Sequence, residues 1–198
     1  MERGLIMRDI IKLFAIVALF SAVAGGALAL VQDATSEQIE KQVIKYVTGP
    51  SLEALLKDSE NNPLEDRFKI QDGENTVDIF VAKFNGKRNV VAFESSGIGY
   101  DGKVGVMVGY NLDTDELVGM RVTTHTETQG IGSRATTDTA FIEQFKGMSV
   151  DTGFKVKSDG GDIDALSGAT YTSKGVCSGV ADSVEKYKRL KDEILKNM

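Results

Sequence analysis

The stretch TVDIFVAKFNGKRNVVAFES, Thr76 to Ser95, decides the fold. Both of its flanks are rich in β-branched and aromatic residues, and between them stand Asn85 and Gly86, the dipeptide that readily supplies the positive φ angles of a tight hairpin turn. The pattern repeats downstream. KVGVMVGYN (103–111) and LVGMRVTTHT (117–126) are separated by LDTDE, a second hairpin signal. Four strands in this arrangement predict a largely antiparallel, twisted sheet.

Helical periods lie on either side of these strands. TSEQIEKQVIKYV places Ile39, Val43, Ile44 and Val47 on one face, with Thr35 or Ser36 as candidate caps. GPSLEALLKD then restarts a short helix, and residues 33–65 read as a helical stalk leading into a domain over 66–198. DTAFIEQFKG predicts a helix from Asp138 to Gly147, and FKVKS one more short strand. The last segment spaces Val176, Val180, Val184, Tyr187 and Leu190 or Lys191 along a helical face. The fold class is α+β, a largely antiparallel twisted sheet with packed helices, preceded by one N-terminal transmembrane helix.

That helix is read over 10–32. The run LFAIVALFSAVAGGALALV, Leu13 to Val31, has no charged residue and is long enough to cross an apolar bilayer core of about 30 Å. Arg3, Arg8 and Lys12 precede it, whereas Asp33, Glu37 and Glu40 come after it. The positive-inside rule then keeps residues 1–12 in the cytoplasm and sends the C-terminal domain to the periplasmic or extracellular side of the cell membrane. A cleaved secretory signal is the competing reading, because Ala27-Leu28-Ala29 is an A-x-A-like site, but the apolar run is long for a signal. Ser21, Ala22, Gly25 and Gly26 form overlapping small-residue pairs that would let a second membrane helix approach.

Composition narrows the function. A net charge of −6 without a basic stripe argues against nucleic acid, whose phosphates require clustered Lys and Arg. Cys177 is the sole cysteine, which leaves no internal disulfide and no Cys-based cluster, and reads as a small buried hydrophobe. His125 is the sole histidine, so no multi-histidine metal site is expected and a Ser-His-Asp triad would have to use it. Gly97 to Gly102, GIGYDG, fits G-x-G-x-x-G after a strand. The residues after Gly102 have a strand pattern, however, whereas a dinucleotide site needs a helix there, so the glycines are read as a strand-to-strand turn.

The remaining signal is DALSGATYTSKGV, Asp164 to Val176, at the entry to the last helix. With the helix starting near Thr172 or Ser173, its free N–H groups and positive dipole end would face the Ser167–Thr170 turn, an arrangement that favours a phosphate. Gly168 and Ala169 would let a ligand reach the backbone, and Ser167, Thr170, Thr172 and Ser173 offer hydroxyls. The same residues are also ordinary helix caps, and nothing in their spacing tells which hydroxyl could form an ester.

The segment Asp164-Ala165-Leu166-Ser167-Gly168-Ala169-Thr170 resembles the flavinylation motif of the FMN-binding domain family, found in the G subunit of Rnf electron-transport complexes and the C subunit of sodium-pumping NADH:quinone reductases. THTETQGIGSRA, Thr124 to Ala135, is similar to that family's H-x-E-T-P-G-[LI]-G segment, which lies beside the flavin. His125, Glu127, Thr128, Gly130, Ile131 and Gly132 match it, while Gln129 stands where proline is usual. The resemblance runs from the membrane helix to the last helix, and the chain length favours the Rnf member, since the reductase counterpart carries extra insertions.

The resemblance implies FMN esterified through its phosphate to Thr170, with Asp164 part of the sequence read by a flavin transferase. It implies an electron-carrying component of a membrane-bound, ion-translocating ferredoxin/NAD oxidoreductase. Its partners would be the other subunits of that complex, which hold the iron–sulfur centres and the ion path. Thr128 and backbone donors would hydrogen-bond the flavin ring. The alternatives are the C subunit of the sodium-translocating NADH:quinone reductase, or an anchored non-catalytic module that binds a phosphorylated ligand or a partner at the same helix terminus.

Overall fold

The computed structural model describes residues 2–198, and the side-chain surroundings of all of these except residues 2–7, Asp9 and Glu40. Of the segment 1–12, Met1 and those side chains, Arg3 among them, therefore lie outside the described residues. Two compact units are present, Met1–Val43 and Ile44–Met198, with the boundary inside the stretch read as a stalk.

The first unit is one helix, α1 (Glu2–Val43). By length and composition its apolar part is sufficient to cross a membrane. A separate helix capped by Thr35 or Ser36 does not occur. The Thr35 hydroxyl donates back to the Val31 carbonyl at 2.7 Å and that of Ser36 to the Asp33 carbonyl at 2.9 Å, bonds that keep a hydroxyl residue inside a continuing helix. Lys41 pairs with Glu37 one turn away.

The second unit opens with a π-helical turn, Ile44–Thr48, and continues into α2 (Gly49–Leu55). Pro50 is the local cause: it has no N–H to donate to the carbonyl four residues back, and its ring crowds that carbonyl, so the ladder widens. Leu52 and Leu56 are buried on one face of the sheet, against Phe80, Ala82, Val90, Ala92 and Met107.

The sheet holds five strands, β1 (Arg67–Asp72), β2 (Asn75–Phe84), β3 (Lys87–Ile98), β4 (Lys103–Asn111) and β5 (Glu116–Val122). They form an antiparallel meander in sequence order. Asn85 and Gly86 have φ of 52° and 76°, the backbone that a tight two-residue hairpin demands. Asp115, at φ 55°, closes the β4–β5 turn. Four of these strands are expected from the sequence, and β1 is an addition to them. Its signal is the alternation of Phe68 and Ile70, with Gly73 just after, which is short enough to pass for a loop.

The opposite face of the sheet is covered by α4 (Thr170–Asn197), which buries Val176, Val180, Val184, Tyr187, Leu190 and Ile194 against β-strand residues including Val91, Phe93, Val106 and Tyr110. Phe93, Tyr110 and Tyr187 stack in series, with ring centroids 5.3 and 4.4 Å apart. The buried hydroxyls are satisfied. Tyr110 donates to Ser183 at 2.7 Å and Tyr187 to Asp115 at 2.6 Å. Cys177 is buried in this core, which pushes its thiol up to about 12, so it stays protonated and unreactive at neutral pH.

The expected helix after Asp138 is shorter than its periodicity suggests. Asp138 caps it by accepting from the Phe141 N–H at 3.1 Å, but α3 spans only Thr139–Ile142 before tightening into a 3₁₀ turn, and Gly147 ends it at φ 76°. FKVKS is not a strand. Val156 makes one isolated bridge to Ile163, and a 3₁₀ turn over Lys157–Asp159 ends the pairing.

What sets the position of α4 is a near contact of backbones. A Cβ on Gly97 of β3 would collide with the Gly175 carbonyl oxygen and lie 2.7 Å from the Gly179 nitrogen, and a Cβ on Gly175 would lie 2.7 Å from Gly99 Cα. No side chain fits between this helix and the end of β3.

Gly97→Ala is therefore expected to cost about 1–3 kcal/mol, the usual range for overpacking, in chemical unfolding of the full chain in detergent micelles. A second expectation concerns pH. The Lys191 ammonium and the Tyr187 hydroxyl both donate to Asp115, and the Arg189 guanidinium to Asp72, which holds both carboxyls below their ordinary value. Depressed in the folded state, these groups stabilise it fully above the unfolded carboxylate pKa, about 4, and the contribution is lost as pH falls below that. The unfolding midpoint should drop below about pH 4, and Asp115→Asn, which tolerates the same positive φ, should flatten the drop.

Candidate functional site

The entry to α4 is built from a tight turn. The Ala169 N–H donates to the Leu166 carbonyl at 2.9 Å, and Gly168 at φ 77° occupies the third position, which a type II turn reserves for glycine. The helix starts at Thr170, earlier than its sequence pattern suggests, and its N-cap residue is Ala169, which makes no side-chain cap. None of the nearby hydroxyls serves as a conventional cap.

Their actual roles differ. Ser173 is wholly buried, donates to the Ala169 carbonyl and accepts from the Leu166 N–H, both at 3.0 Å, and so fastens the turn to the helix rather than facing a ligand. Thr172 is buried and donates to a Glu127 carboxylate oxygen at 2.5 Å. Ser167 is exposed on a separate groove, and Thr170 is exposed on the wall of a cavity at the helix entry.

That cavity, about 390 Å³, lies where three segments meet. The glycine turn between β3 and β4 supplies Tyr100. Glu127, Thr128, Ile131 and Gly132 come from the loop after β5, and Gly168 to Thr172 from the entry of α4. The volume falls in the range of small-ligand sites, and the mixture of aromatic, aliphatic and hydroxyl groups is of the kind such sites use.

Glu127 holds the three segments together. It is 4% exposed, and one carboxylate oxygen accepts from the Asp101 N–H at 3.1 Å while the other accepts from Thr172. Two glycines make room for it. A Cβ on Gly99 would strike the carboxylate, and one on Gly132 would come within 2.7 Å of it. GIGYDG is thus a strand-to-strand turn, closed by the Gly99 N–H donating to the Gly102 carbonyl at 2.7 Å, whose glycines admit a buried acid and a helix instead of a pyrophosphate.

Not every residue of the loop motif reaches the cavity. His125 is half-buried outside its wall, and its Nδ1 is buried without a partner among the described residues. Gly130, φ 73°, shapes a turn closed by the Ile131 N–H on the Thr128 carbonyl at 3.2 Å. Gln129 stands at the second position of that turn, where proline is favoured but most residues are accepted. The turn forms with glutamine there and forgoes proline's rigidity.

Asp164 lies apart, on a second groove of about 370 Å³ that also includes Arg134, Asp138, Gln144 and Ser167. Gln144 satisfies both backbone groups of Asp164, accepting from its N–H at 2.7 Å and donating to its carbonyl at 3.2 Å. The Asp164 carboxylate is left exposed and pairs with Lys157 at 2.7 Å. Ser167 faces this groove, its carbonyl accepting from Arg134 at 3.4 Å. Tyr100 and Tyr171 are not among the site residues expected from the sequence. The available signal is an aromatic residue inside each of the two glycine-containing motifs.

An FMN phosphate fits the α4 entry. The exposed Thr170 hydroxyl stands at the first turn of a 28-residue helix, no side chain caps that turn, and Gly168 leaves open space beside it.

Residues 99–185, which include the glycine turn, the loop and most of α4, match the FMN-binding domain family. Along 185 residues the chain is 34% identical to the G subunit of the ion-translocating oxidoreductase complex of Cereibacter sphaeroides, covering 89% of this chain and 84% of that protein. The G subunit of the same complex from Vibrio parahaemolyticus is 29% identical over 189 residues, covering 90% and 89%. Among solved structures, the C subunit of the Na(+)-translocating NADH-quinone reductase from Parabacteroides distasonis superposes with a TM-score of 0.50 at 26% identity, over 58% of this chain and 62% of that one.

The Glu127–Thr172 contact should register as energetic coupling. In a double-mutant cycle of Glu127→Gln and Thr172→Val, read by chemical unfolding, the interaction energy is expected at about 1–2 kcal/mol, with each single change destabilising.

Proposed function

This chain belongs to the family of ion-translocating oxidoreductase complex G subunits with an FMN-binding domain, and from that premise we propose that it carries electrons on FMN bound covalently at Thr170. It is a membrane-anchored electron-transfer flavoprotein of an Rnf-type complex. The ester to Thr170, the ferredoxin/NAD couple, the flavin transferase and the sidedness belong to the proposal.

The observation that carries the site assignment is the isolation of Thr170. Of the serine and threonine hydroxyls on α4's first turn, Thr172 and Ser173 are buried and occupied by hydrogen bonds, whereas Thr170 is exposed on the cavity wall. A phosphoester there keeps one negative charge beside the helix N-terminus, where the first-turn N–H groups and the dipole stabilise it. For a carrier outside the cytoplasm, the covalent bond also removes loss by dissociation into a large volume.

Once bound, the flavin supplies the redox chemistry, accepting electrons from one partner protein and passing them to the next. The chain's own residues hold and shield it. Thr128 is placed on the wall to hydrogen-bond a polar edge of the ring, and Ile131 and Ala169 limit water. Glu127, accepting from the Asp101 N–H and the Thr172 hydroxyl, keeps loop, turn and helix in register. Asp164, exposed on the neighbouring groove, is available to a transferase during maturation. In the proposed topology residues 1–12 are cytoplasmic, 10–32 cross the membrane, and the domain over 66–198 stands on the periplasmic or extracellular side, in line with Arg8 and Lys12 before the apolar run and Asp33 and Glu37 after it.

The reductase C-subunit reading is favoured less, because the match runs nearly end to end along the G subunits and over 62% of the solved reductase chain. A non-flavin module binding a phosphorylated ligand is separated by one experiment. Chain produced in cells containing the flavin transferase should give a flavin-fluorescent band on a denaturing gel, and Thr170→Ala should abolish it. A dark wild-type band would overturn the covalent assignment.

A further inference from the structure

We propose that Tyr100 and Tyr171 form an aromatic clamp for the flavin ring, an inference that rests on the FMN reading above. Both rings line the cavity, yet they are 73% and 67% exposed, among the most exposed large apolar groups in the second unit. Aromatic side chains left in water at a site forgo their main energetic contribution unless a ligand covers them. Their ring centroids are 6.3 Å apart with the planes tilted by 58°, a tilted contact with each other that still leaves most of both rings uncovered beside the cavity.

The rings are carried on rigid backbone. Tyr100 sits in the turn closed by Gly99 and Gly102, and the next residue's N–H is held by Glu127. Tyr171 belongs to the first turn of α4, whose Gly175 touches the backbone of that same turn at Gly99. Neither side chain depends on a flexible loop for its position.

The occupant is fixed by adjacency. Tyr171 comes immediately after Thr170, so a ring tethered to Thr170 meets this wall at a high effective concentration, well ahead of any untethered competitor. Of the parts of FMN, only the isoalloxazine presents a flat aromatic face able to stack on two tyrosines, while the phosphate stays at the helix terminus. Lys174, 5.8 Å from the Tyr171 ring centre and paired with Asp159 at 2.8 Å, adds a cation–π contact that helps hold that ring.

Stacked tyrosine is an electron-rich neighbour that quenches flavin emission, and this gives a readout independent of turnover. In flavin-loaded full chain purified in detergent, the bound flavin should be strongly quenched. Tyr100→Leu and Tyr171→Leu should each raise its emission, and the pair together severalfold, with attachment unchanged on a denaturing gel. Tyr100→Phe with Tyr171→Phe should release the quenching while keeping the visible circular dichroism of the held ring, which the Leu pair loses. Unchanged emission and dichroism in the Leu pair, with flavin attached, would overturn the clamp. A dark denaturing gel for the wild type would instead count against the ester. Titration of that chain with free FMN then decides the clamp: saturable quenching that the Leu pair lacks supports it, and its absence overturns it.

Discussion

In the second unit α4 and the end of β3 meet backbone to backbone, where Gly97, Gly175 and Gly179 leave no space for any side chain. Helices normally stand off a sheet by the length of the side chains between them. Removing those side chains at one end draws the N-terminal half of α4 down onto the strand and fixes where its first turn emerges. That placement sets Thr170 opposite the β3–β4 turn and brings Tyr171 within reach of Tyr100. The remainder of α4 packs conventionally, through aliphatic residues and the stacked Phe93, Tyr110 and Tyr187.

A buried carboxylate completes the arrangement. Glu127 would be costly in this position if unpaired, and each of its oxygens accepts a hydrogen bond from a different segment. The bonds are directional where apolar packing is not, so they specify the relative position of loop, turn and helix. The glycines at 99 and 132 belong to the same device, since a side chain at either would occupy the acid's place. Rigidity of this kind suits a protein whose task is to hold, orient and shield a cofactor.

Much of this is legible in the sequence. The Asn85-Gly86 turn, the alternating strand pattern and the helical face from Val176 to Leu190 each arise from local steric rules and appear in the structure as read. Local rules also mislead in places. Thr35 and Ser36 look like caps, but nothing near them interrupts α1, and their hydroxyls bond backward within it. FKVKS has strand composition but no neighbour to pair with beyond one bridge.

By itself the sequence determined the fold class, the apolar N-terminal helix and the two motifs whose resemblance pointed to a flavin, because turn dipeptides, hydrophobic periods and short motifs are encoded within a few residues. Only the tertiary structure decided how the hydroxyls divide their work, turning Ser173 and Thr172 inward and leaving Thr170 outward. It also brought Tyr100 and Tyr171 to one cavity and joined loop, turn and helix through Glu127. The reason is that burial and hydrogen-bond pairing are properties of surfaces that meet across long stretches of chain, and no local pattern records which surface a given side chain will face.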